Sequence, residues 1–396
     1  MSRILFLTSR MLPGYGVDLA VHNLALELKK RGHRIAVLCL ESDGSLRGYP
    51  IEIVPPRIDY IRAYARAFKA QVIVAHTSPF YEMLPALKAR HRVFAWEYGD
   101  PPPQLFPDAA RRAALKHFKV PHVYPMLDGV VAISKFIARD CEWPASKIIY
   151  CGCDHMADLG PKPMPSEETT RRPPPLRVGT LMRLGQGEAL YKGNQSFRDL
   201  SRSLREGGVE IECHVMGRGS QADALEFERE GIHVHLNASD AEKQRYLRDL
   251  DIFVSLSTWE GFNLPLVEAE AMGTVGLALN LSAHPEVTPF VFDTLEDVKQ
   301  FVESCARDRT ILFERGARAY QYVRARFRWS DTADEWLAWT GLPREASDFR
   351  ESLSPIERLS VIVFLSQARL RDQGFSALLV SIWKNAIQML SRPFGR

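Results

Sequence analysis

The 396-residue sequence predicts an α/β protein of two Rossmann-like domains, each a doubly wound parallel sheet, facing each other across a cleft and followed by a helical C-terminal extension. Strand and helix patterns alternate in two separate halves of the chain, and a proline-rich polar segment divides them. The chain is also too long for one hydrophobic core. We place the first domain at residues 1–158, the linker at 159–175, the second domain at 176–342 and the extension at 343–396.

The first half opens with a βαβ unit. RILFLTS has the pattern of a buried strand, LAVHNLALELKKRG that of an amphipathic helix, and HRIAVLCL that of a second strand. Further buried-strand patterns are QVIVAHT, HRVFAWE and GVVAIS, with helical stretches between them. This alternation predicts a parallel sheet with helices on both faces.

The second half repeats the alternation after the segment GPKPMPSEETTRRPPP, which has no hydrophobic period and reads as a linker. Its predicted strands are LRVGTLM, IECHVMG, IHVHL, DIFVSLS and TVGLALN, and its predicted helices include FRDLSRSLREGG, AEKQRYLRDL and LPLVEAEAM. Two such halves create a cleft at the carboxyl ends of both sheets, where folds of this class bind ligands.

Composition narrows the function classes. A formal net charge of +3 is too small to indicate nucleic-acid binding, and no nucleic-acid motif is present. The six cysteines form no CxxC pair, so we expect free thiols in a reducing cytoplasm. The apolar start MSRILFLTSR is too short for a signal peptide, and no stretch reaches the length of a membrane span. We expect a cytoplasmic protein, peripheral at most on the cytoplasmic face of a membrane.

The segment STWEGFNLPLVEAEAMG, residues 257–273, places two glutamates eight positions apart across a turn. Pro265 suits the start of a helix, because its missing N–H would have no partner there, and Gly273 suits the end. The backbone N–H groups of Gly261, Phe262, Asn263 and Leu264 are then expected at the positive end of the helix dipole, where anions bind. Glu260 and Glu268 can each accept hydroxyl hydrogen bonds from a sugar or a ribose.

EGFNLPLVE resembles the E-x7-E motif of retaining glycosyltransferases of family 4, which have the GT-B fold, and AMG and HPEV (284–287) match the same pattern. The resemblance runs from about residue 3 to 340. It implies that Glu260 contacts the transferred sugar and that Glu268 holds the ribose of a nucleotide diphosphate sugar. It also implies that Arg183 and Lys192, in VGTLMRLGQGEALYKG, contact the donor diphosphate and stabilise the leaving group without a metal.

Two glycine-rich stretches complete the expected donor site. PGYG follows the first strand and contributes Gly14, Tyr15 and Gly16, whose backbone can approach a phosphate or sugar closely. VMGRGS contributes Gly217 at a strand end of the kind that lines a nucleotide pocket. Neither stretch is specific by itself.

The sequence departs from the family on the acceptor side. Many members carry a histidine after the strand that corresponds to HRVFAWE, and this chain has WEYGDPPPQLF there. Glu97, Tyr98 and Asp100 are candidates for positioning the sugar or acceptor, and His76 is the nearest other imidazole by strand order. A lone histidine at a strand end is more often structural.

Other functions were weighed against the transferase. PGYGVDLA resembles a dinucleotide fingerprint with Glu41 on the ribose, but Leu19 stands where the third glycine is required. A sugar-nucleotide 2-epimerase or a phosphorylase would share the fold without this set of arginine, lysine and two glutamates. A non-catalytic glycan-binding relative would be expected to have lost one of the four. Asp249 and Asp251 form a D-x-D at a helix end, which is a poor place for a metal.

With this resemblance, the sequence predicts a retaining, metal-independent glycosyltransferase of the hexosyltransferase type, without a cofactor. The enzyme is expected to move a sugar from a nucleotide diphosphate donor to the hydroxyl of a carbohydrate or lipid-linked acceptor. The expected process is glycan, cell-surface polysaccharide or glycolipid synthesis. Basic amphipathic stretches at 57–69 and 109–119 are consistent with a membrane surface and equally with a solvated face. In the extension, Phe375, Leu379, Trp383 and Leu390 follow a helical period that suits packing on the body, dimerisation or a bilayer interface. The sequence identifies neither the sugar nor the acceptor.

Overall fold

The computed structural model describes residues 1–164, 173–185 and 188–343. Two wholly parallel sheets, one in each half of the chain, form the framework, as the sequence predicts. The first sheet has seven strands in the order β3-β2-β1-β4-β5-β6-β7, and the second has six in the order β10-β9-β8-β11-β12-β13. In each sheet the strand order reverses beside the domain's first strand, so both sheets have a crevice at the carboxyl ends of their central strands. This is the GT-B architecture of two facing Rossmann-like domains.

The N-terminal sheet has a central strand, β1, whose apolar side chains are buried on both faces, as a parallel sheet covered by helices requires. Its strands are β1 Arg3–Met11, β2 Arg34–Ser42, β3 Ile51–Ile53, β4 Val72–Ala75, β5 Arg92–Glu97, β6 Gly129–Ala132 and β7 Lys147–Ile148. Its helices are α1 Gly16–Lys30, α2 Ile58–Phe68, α3 Ala109–His122 and α4 Lys135–Asp140, with 3-10 turns at Tyr81–Leu87, Pro103–Leu105 and Tyr124–Met126.

The C-terminal sheet is built in the same way around β8 and β11, which are paired in parallel. Its strands are β8 Leu176–Leu181, β9 Ile211–Gly217, β10 His233–Leu236, β11 Ile252–Ser255, β12 Val275–Leu279 and β13 Val291–Phe292. Its helices are α5 Glu188–Tyr191, α6 Asn194–Glu206, α7 Gln221–Glu228, α8 Asp240–Asp249, α9 Leu264–Ala271, α10 His284–Val287, α11 Leu295–Arg307 and α12 Thr310–Arg326.

The last described helix, α13 (Trp329–Thr340), returns to the N-terminal domain. The Arg31 guanidinium at the end of α1 donates to Asp334 Oδ1 at 2.7 Å and to the Ser330 carbonyl at 2.9 Å. Trp336 packs edge-on against Phe94 of β5. The predicted boundary at residue 342 assigned this helix to the second domain, whereas its contacts lie with the first. Its side chains cover part of α1 and of β5.

Three edge strands were not predicted: β3, β7 and β13. Each has only two or three residues, which is too short for a recognisable hydrophobic period. All six cysteines are free and buried. Among the described residues no helix has the length and apolar character needed to span a membrane. The predicted helical extension at 343–396 lies, apart from Pro343, outside the described residues.

Candidate active site

The turn before α9 is rigid, because every polar group of its asparagine is used. Asn263 adopts a left-handed conformation (φ 67°) as the residue preceding α9, and its side-chain oxygen accepts from the Leu266 N–H. Its amide nitrogen lies 2.7 Å from Ser255 Oγ and 2.9 Å from His284 Nε2. His284 in turn contacts the Leu279 carbonyl through Nδ1 at 2.8 Å, which makes Nδ1 the donor and Nε2 the acceptor. Strand β11, the HPEV segment and the turn are thus locked together.

Glu260 lies at the mouth of this turn and pairs with Lys192, whose Nζ is 2.9 Å from Glu260 Oε2. The lysine is placed by a close backbone approach. The Thr258 N–H donates to the Tyr191 carbonyl, and a side chain on Gly193 would collide with the Leu256 carbonyl at 2.5 Å. Both charged groups remain partly exposed. Two of the predicted catalytic residues, 68 positions apart, are therefore brought into direct contact.

Glu268 lies on the inner side of α9 and is 2% exposed. Its Oε1 receives two hydrogen bonds, from Lys243 Nζ of α8 at 3.0 Å and from His155 Nε2 at 2.9 Å. Burial by itself would raise the pKa of this carboxyl, but Lys243 and His155 outweigh it and lower the pKa to about 2. Glu268 is an ionised carboxylate at any physiological pH, with both of these donors on the same oxygen.

Three guanidinium groups converge on the Tyr15 ring. Those of Arg10, Arg183 and Arg218 lie 3.9, 4.5 and 5.1 Å from its centroid. Arg10 and Tyr15 belong to the N-terminal domain, and the other two arginines to the C-terminal domain. Asp18 Oδ2 lies 3.9 Å from Arg10 Nε. Three like charges around one ring repel each other, so an anion placed among them would be strongly stabilised.

The PGYG loop closes over this arginine cluster. Gly14 has φ of +79°, and a side chain there would meet the Arg218 guanidinium at 2.5 Å. Arg218 Nη2 donates to the Pro13 carbonyl at 2.6 Å across the cleft. A Cβ on Gly16 would lie 3.8 Å from Leu264 at the start of α9. The structure therefore places the predicted glycine loop directly opposite the predicted helix N-terminus.

On the N-terminal side of the cleft, the candidate carboxylates are engaged internally. Glu97, 2% exposed, binds Lys119 Nζ at 3.0 and 3.1 Å and accepts from the Tyr124 hydroxyl at 2.7 Å. Lys119 also binds Asp100 Oδ2 at 2.8 Å. Burial would lower the pKa of Lys119, but the two carboxylates raise it above its ordinary value. We call Glu97, Asp100, Lys119 and Tyr124 the inner ion-pair cluster. Its contacts hold the strand end in place and occupy both carboxylate oxygens of Glu97.

His76 and Tyr98 form a pair beside this cluster, with His76 Nδ1 3.0 Å from the tyrosine hydroxyl. His76 is 1% exposed, and burial lowers its pKa to about 3, so the imidazole is neutral. Its ring packs against Phe6 and Trp96. The contacts favour the structural interpretation of His76, with Tyr98 as the group it orients.

The two domains meet closely where these acceptor-side residues face the E-x7-E segment. A Cβ on Gly261 would lie 2.4 Å from the Tyr98 carbonyl, and one on Gly99 would lie 2.9 Å from the Trp259 ring. Glu286 of the HPEV segment accepts from the N–H groups of Lys135 and Phe136 at 2.7 and 2.8 Å. The C-terminal domain thus supplies the side-chain cap for a helix of the N-terminal domain.

Two predicted donor-site residues have different surroundings from those expected. The Phe262 side chain points into the core, where its ring packs edge-on against Phe327 at 5.2 Å. Gly217 is required by packing within the sheet, because a Cβ there would lie 2.0 Å from the Met182 carbonyl. The Phe262 side chain is therefore used in core packing, and Gly217 has no side chain to offer. The backbone of Phe262 still lies just before α9, and that of Gly217 still lies at the cleft end of β9.

Sequence reasoning missed several residues that the structure brings to the site. They are Arg10, Asp18, Lys119, His155, Arg218, Lys243 and Trp329. Arg218 is inside VMGRGS and Arg10 ends the first strand, so the glycine-rich stretches beside them carried a usable signal. His155, Lys243 and Trp329 have none, because each approaches the site from a distant segment.

Two family models match the chain. The model described as Glycosyltransferase Family 4 matches residues 15–156, and the one described as Glycosyl transferases group 1 matches residues 180–307. These matches cover the two halves of the cleft described above. They support a glycosyltransferase of the GT-B type. No curated protein sequence matches the chain.

Solved structures confirm the fold of this glycosyltransferase. Anabaena HepE in complex with UDP and glucose is 18% identical, with a TM-score of 0.67 over 86% of this chain and 100% of that chain. Sucrose-phosphate synthase from Thermosynechococcus elongatus is 13% identical, with a TM-score of 0.68 over 86% and 98%. A glycosyltransferase from Rickettsia africae is 15% identical, with a TM-score of 0.64 over 85% and 97%. At such identities the likeness concerns the fold alone.

Proposed function

We propose that this protein is a retaining, metal-independent glycosyltransferase of family 4, which transfers a hexose from a nucleotide diphosphate sugar to an acceptor hydroxyl. One observation carries the proposal. At the cleft between two Rossmann-like domains, two glutamates of one strand-turn-helix segment, each bound to a lysine, lie beside a cluster of three arginines. Carboxylates suit sugar and ribose hydroxyls, and guanidinium groups suit a diphosphate.

Glu260 is assigned to the transferred sugar and Glu268 to the donor ribose. Glu260 lies at the mouth of the turn, is 8% exposed, and can accept from a hydroxyl through Oε1 while Lys192 holds Oε2. Glu268 is deeper, permanently ionised, and fixed in direction by two donors. A deep, fixed acceptor suits a contact that is unchanged during reaction, and the mouth position suits the reacting ring.

The diphosphate is assigned to Arg183 and Lys192, with Arg10 and Arg218 added from the structure. The start of α9 adds a helix dipole aimed at the same region. Negative charge grows on the diphosphate as the glycosidic bond breaks, so positive groups fixed around it stabilise the transition state. This charge supply makes a divalent cation unnecessary in the proposed mechanism.

Transfer on the same face of the sugar needs no protein nucleophile. The acceptor hydroxyl attacks from the side on which the diphosphate departs, and a donor phosphate oxygen takes the hydroxyl proton. The protein positions both substrates, and Tyr98, held by His76, is the acceptor-side group nearest to the E-x7-E segment. Glu97 contributes through the inner ion-pair cluster, whereas Asp100, whose side chain is 43% exposed, can also face an acceptor.

We further propose a carbohydrate or lipid-linked acceptor, in polysaccharide or glycolipid synthesis, with peripheral binding at a cytoplasmic membrane face. The stretch at 109–119 is a weaker membrane candidate than expected, because Arg112, Lys116 and Lys119 pair with carboxylates. Helix α2 is better suited to an electrostatic contact with anionic lipid, because Arg62, Arg66 and the following Lys69 are exposed, although its apolar face is buried in the core. Replacing Arg62 and Arg66 by glutamate should abolish co-flotation with anionic vesicles; unchanged flotation would remove α2 from the proposal.

Isothermal titration with UDP and with GDP in the presence of EDTA tests the donor site. Binding of one of them without metal is the expected result, and binding that requires magnesium or manganese would contradict the metal-free mechanism. Incubation with the matching nucleotide sugar and an acceptor, followed by NMR of the anomeric proton, tests retention. Conversion of the donor sugar into its epimer without an acceptor would instead identify a sugar-nucleotide epimerase.

A further inference from the structure

A chain of side chains reaches Glu268 from the segments that connect the two domains. The Trp329 indole nitrogen lies 3.0 Å from His155 Nδ1, and His155 Nε2 lies 2.9 Å from Glu268 Oε1. His155 follows β7 in the crossing from the first domain to the second, and Trp329 is the first residue of α13, in the crossing back. The proposed ribose ligand is thus in contact with both crossings.

The direction of these hydrogen bonds fixes the imidazole tautomer. An indole N–H can only donate, so His155 Nδ1 must accept and therefore carries no proton in the neutral ring. The remaining proton then lies on Nε2 and is donated to the carboxylate. The alternative tautomer would place two N–H groups against each other at Nδ1 and leave the buried carboxylate facing a lone pair.

The imidazole and the indole are themselves held. Trp329 is 2% exposed, and its backbone N–H donates to Asp154 Oδ1 at 2.7 Å. Asp154 directly precedes His155, so two adjacent residues hold the start of α13, one through the Trp329 backbone N–H and the other through the indole. These short hydrogen bonds hold both rings in place, so the imidazole can orient the Glu268 carboxylate.

Lys243 already neutralises the charge of Glu268, so the imidazole adds direction to the carboxylate. With Lys243 and His155 both on Oε1, the plane of the carboxylate is set and Oε2 is left for a ligand hydroxyl. We propose that His155 is a positioning residue for the donor nucleotide, with its tautomer fixed by the Trp329 indole. The proposal rests on the assignment of Glu268 to the donor ribose.

Four variants of the full chain test the proposal. His155→Phe keeps the ring and removes the donor, whereas His155→Gln keeps an amide donor near the position of Nε2. Trp329→Phe removes the indole N–H and keeps the buried ring. Trp336→Phe is the matched control, because Trp336 is a fully buried tryptophan of the same helix whose indole nitrogen has no partner among the described residues.

The readouts are the Kd for UDP (or GDP, whichever the wild type binds) and the KM and kcat for its nucleotide sugar. His155→Phe should weaken nucleotide binding about tenfold, as expected for a lost hydrogen bond to a charged group, with kcat changed less. Trp329→Phe should weaken it about threefold, and His155→Gln and Trp336→Phe should stay near wild type. The 15N shifts of the His155 ring should report a protonated Nε2 in the wild type and a mixture of tautomers in Trp329→Phe.

The outcomes separate the two proposals. If Glu268→Gln weakens nucleotide binding but His155→Phe does not, the ribose assignment survives and the positioning role of His155 is wrong. If the wild type binds neither nucleotide, or Glu268→Gln binds as well as wild type, the proposed function of Glu268 is wrong. A protonated Nδ1 in the wild-type spectrum would overturn the tautomer assignment whatever the nucleotide affinities are. If Trp329→Phe and Trp336→Phe change the nucleotide affinity equally, the Trp329 indole acts only through packing.

Discussion

The inner ion-pair cluster of the N-terminal domain and the E-x7-E segment of the C-terminal domain use the same residue types in opposite ways. Glu97 is enclosed with Lys119 and Tyr124, and both of its oxygens are occupied. Glu260 and Glu268 also pair with lysines, but through one oxygen each. Around Glu97, both carboxylate oxygens are used in contacts that hold the fold. In Glu260 and Glu268, the second oxygen can still accept a hydrogen bond from a ligand.

The difference shows that a strand-end carboxylate is not by itself a sign of function. Glu97 and Glu260 both follow buried strands and both face the interdomain region. What separates them is helix α3, which brings Lys119 against both oxygens of Glu97, whereas Lys192 contacts only Oε2 of Glu260. The predictions below test this contrast, beginning with the largest expected effect.

Lys119→Met should destabilise the fold most, because it leaves Glu97 buried without its cation. We expect a loss of about 3 kcal/mol in the free energy of unfolding, measured by urea titration. Lys116→Met on the same helix, which breaks the less buried pair with Asp140, should cost less than about 1 kcal/mol. A Lys119→Met, Glu97→Gln double variant should recover part of the loss. A small effect of Lys119→Met would show that the cluster does not hold the fold.

Glu260→Gln should lower kcat about a hundredfold, equivalent to about 2.7 kcal/mol, while the affinity for the nucleotide diphosphate changes little. The amide keeps the shape of the side chain but replaces an acceptor-only group by one that also donates. Steady-state kinetics with the donor and acceptor, beside titration with the nucleotide alone, measures both quantities. Full turnover in this variant would mean that Glu260 is not at the reacting sugar.

Arg10→Ala and Arg218→Ala should each weaken nucleotide binding about fivefold in EDTA, since each removes one of several charges around the proposed diphosphate site. The loss should shrink for the nucleoside, which carries no phosphate. Arg111→Ala, an exposed arginine of α3 outside the cleft, serves as the control and should bind as wild type. An equal loss for nucleotide and nucleoside would place the two arginines away from the phosphates.

Glu270→Gln should give the smallest effect, a gain in stability that depends on pH. Glu270 is fully buried, accepts from Thr288 Oγ1 at 2.5 Å, and its Oε2 has no hydrogen-bond partner among the described residues. Burial raises the pKa of this carboxyl well above its ordinary value. The neutral form is therefore favoured in the folded state, and stability falls as the pH rises from the unfolded-state pKa towards the folded one.

Glutamine does not titrate, so the melting temperature of Glu270→Gln should exceed that of the wild type by more at pH 8 than at pH 5. Glu314→Gln, at an exposed position on α12, should show no such trend. A difference between variant and wild type that stays constant with pH would contradict a buried, titrating Glu270.

Much of the framework follows from local patterns. The ten strands that the sequence predicts are all present, and all except the edge strand β10 have mostly buried side chains, as a sheet covered on both faces requires. The E-x7-E turn also forms as expected, with Asn263 before the helix, Pro265 in its first turn and Gly273 just beyond its end at φ of +80°. These features depend on residues within a few positions of each other.

By itself, the sequence determined the two parallel sheets and the two glutamates beside a helix start, because hydrophobic period, proline and glycine act locally. Only the tertiary structure decided which charges meet. Lys192 reaches Glu260, Arg10 and Arg218 reach Tyr15, Lys119 closes off Glu97, and Trp329 returns to His155. Except for Arg10 and Tyr15, which lie at the end of β1 and in the loop after it, these contacts join segments that are far apart in the sequence. Their partners are chosen by how the sheets and helices pack, which no spacing along the chain records.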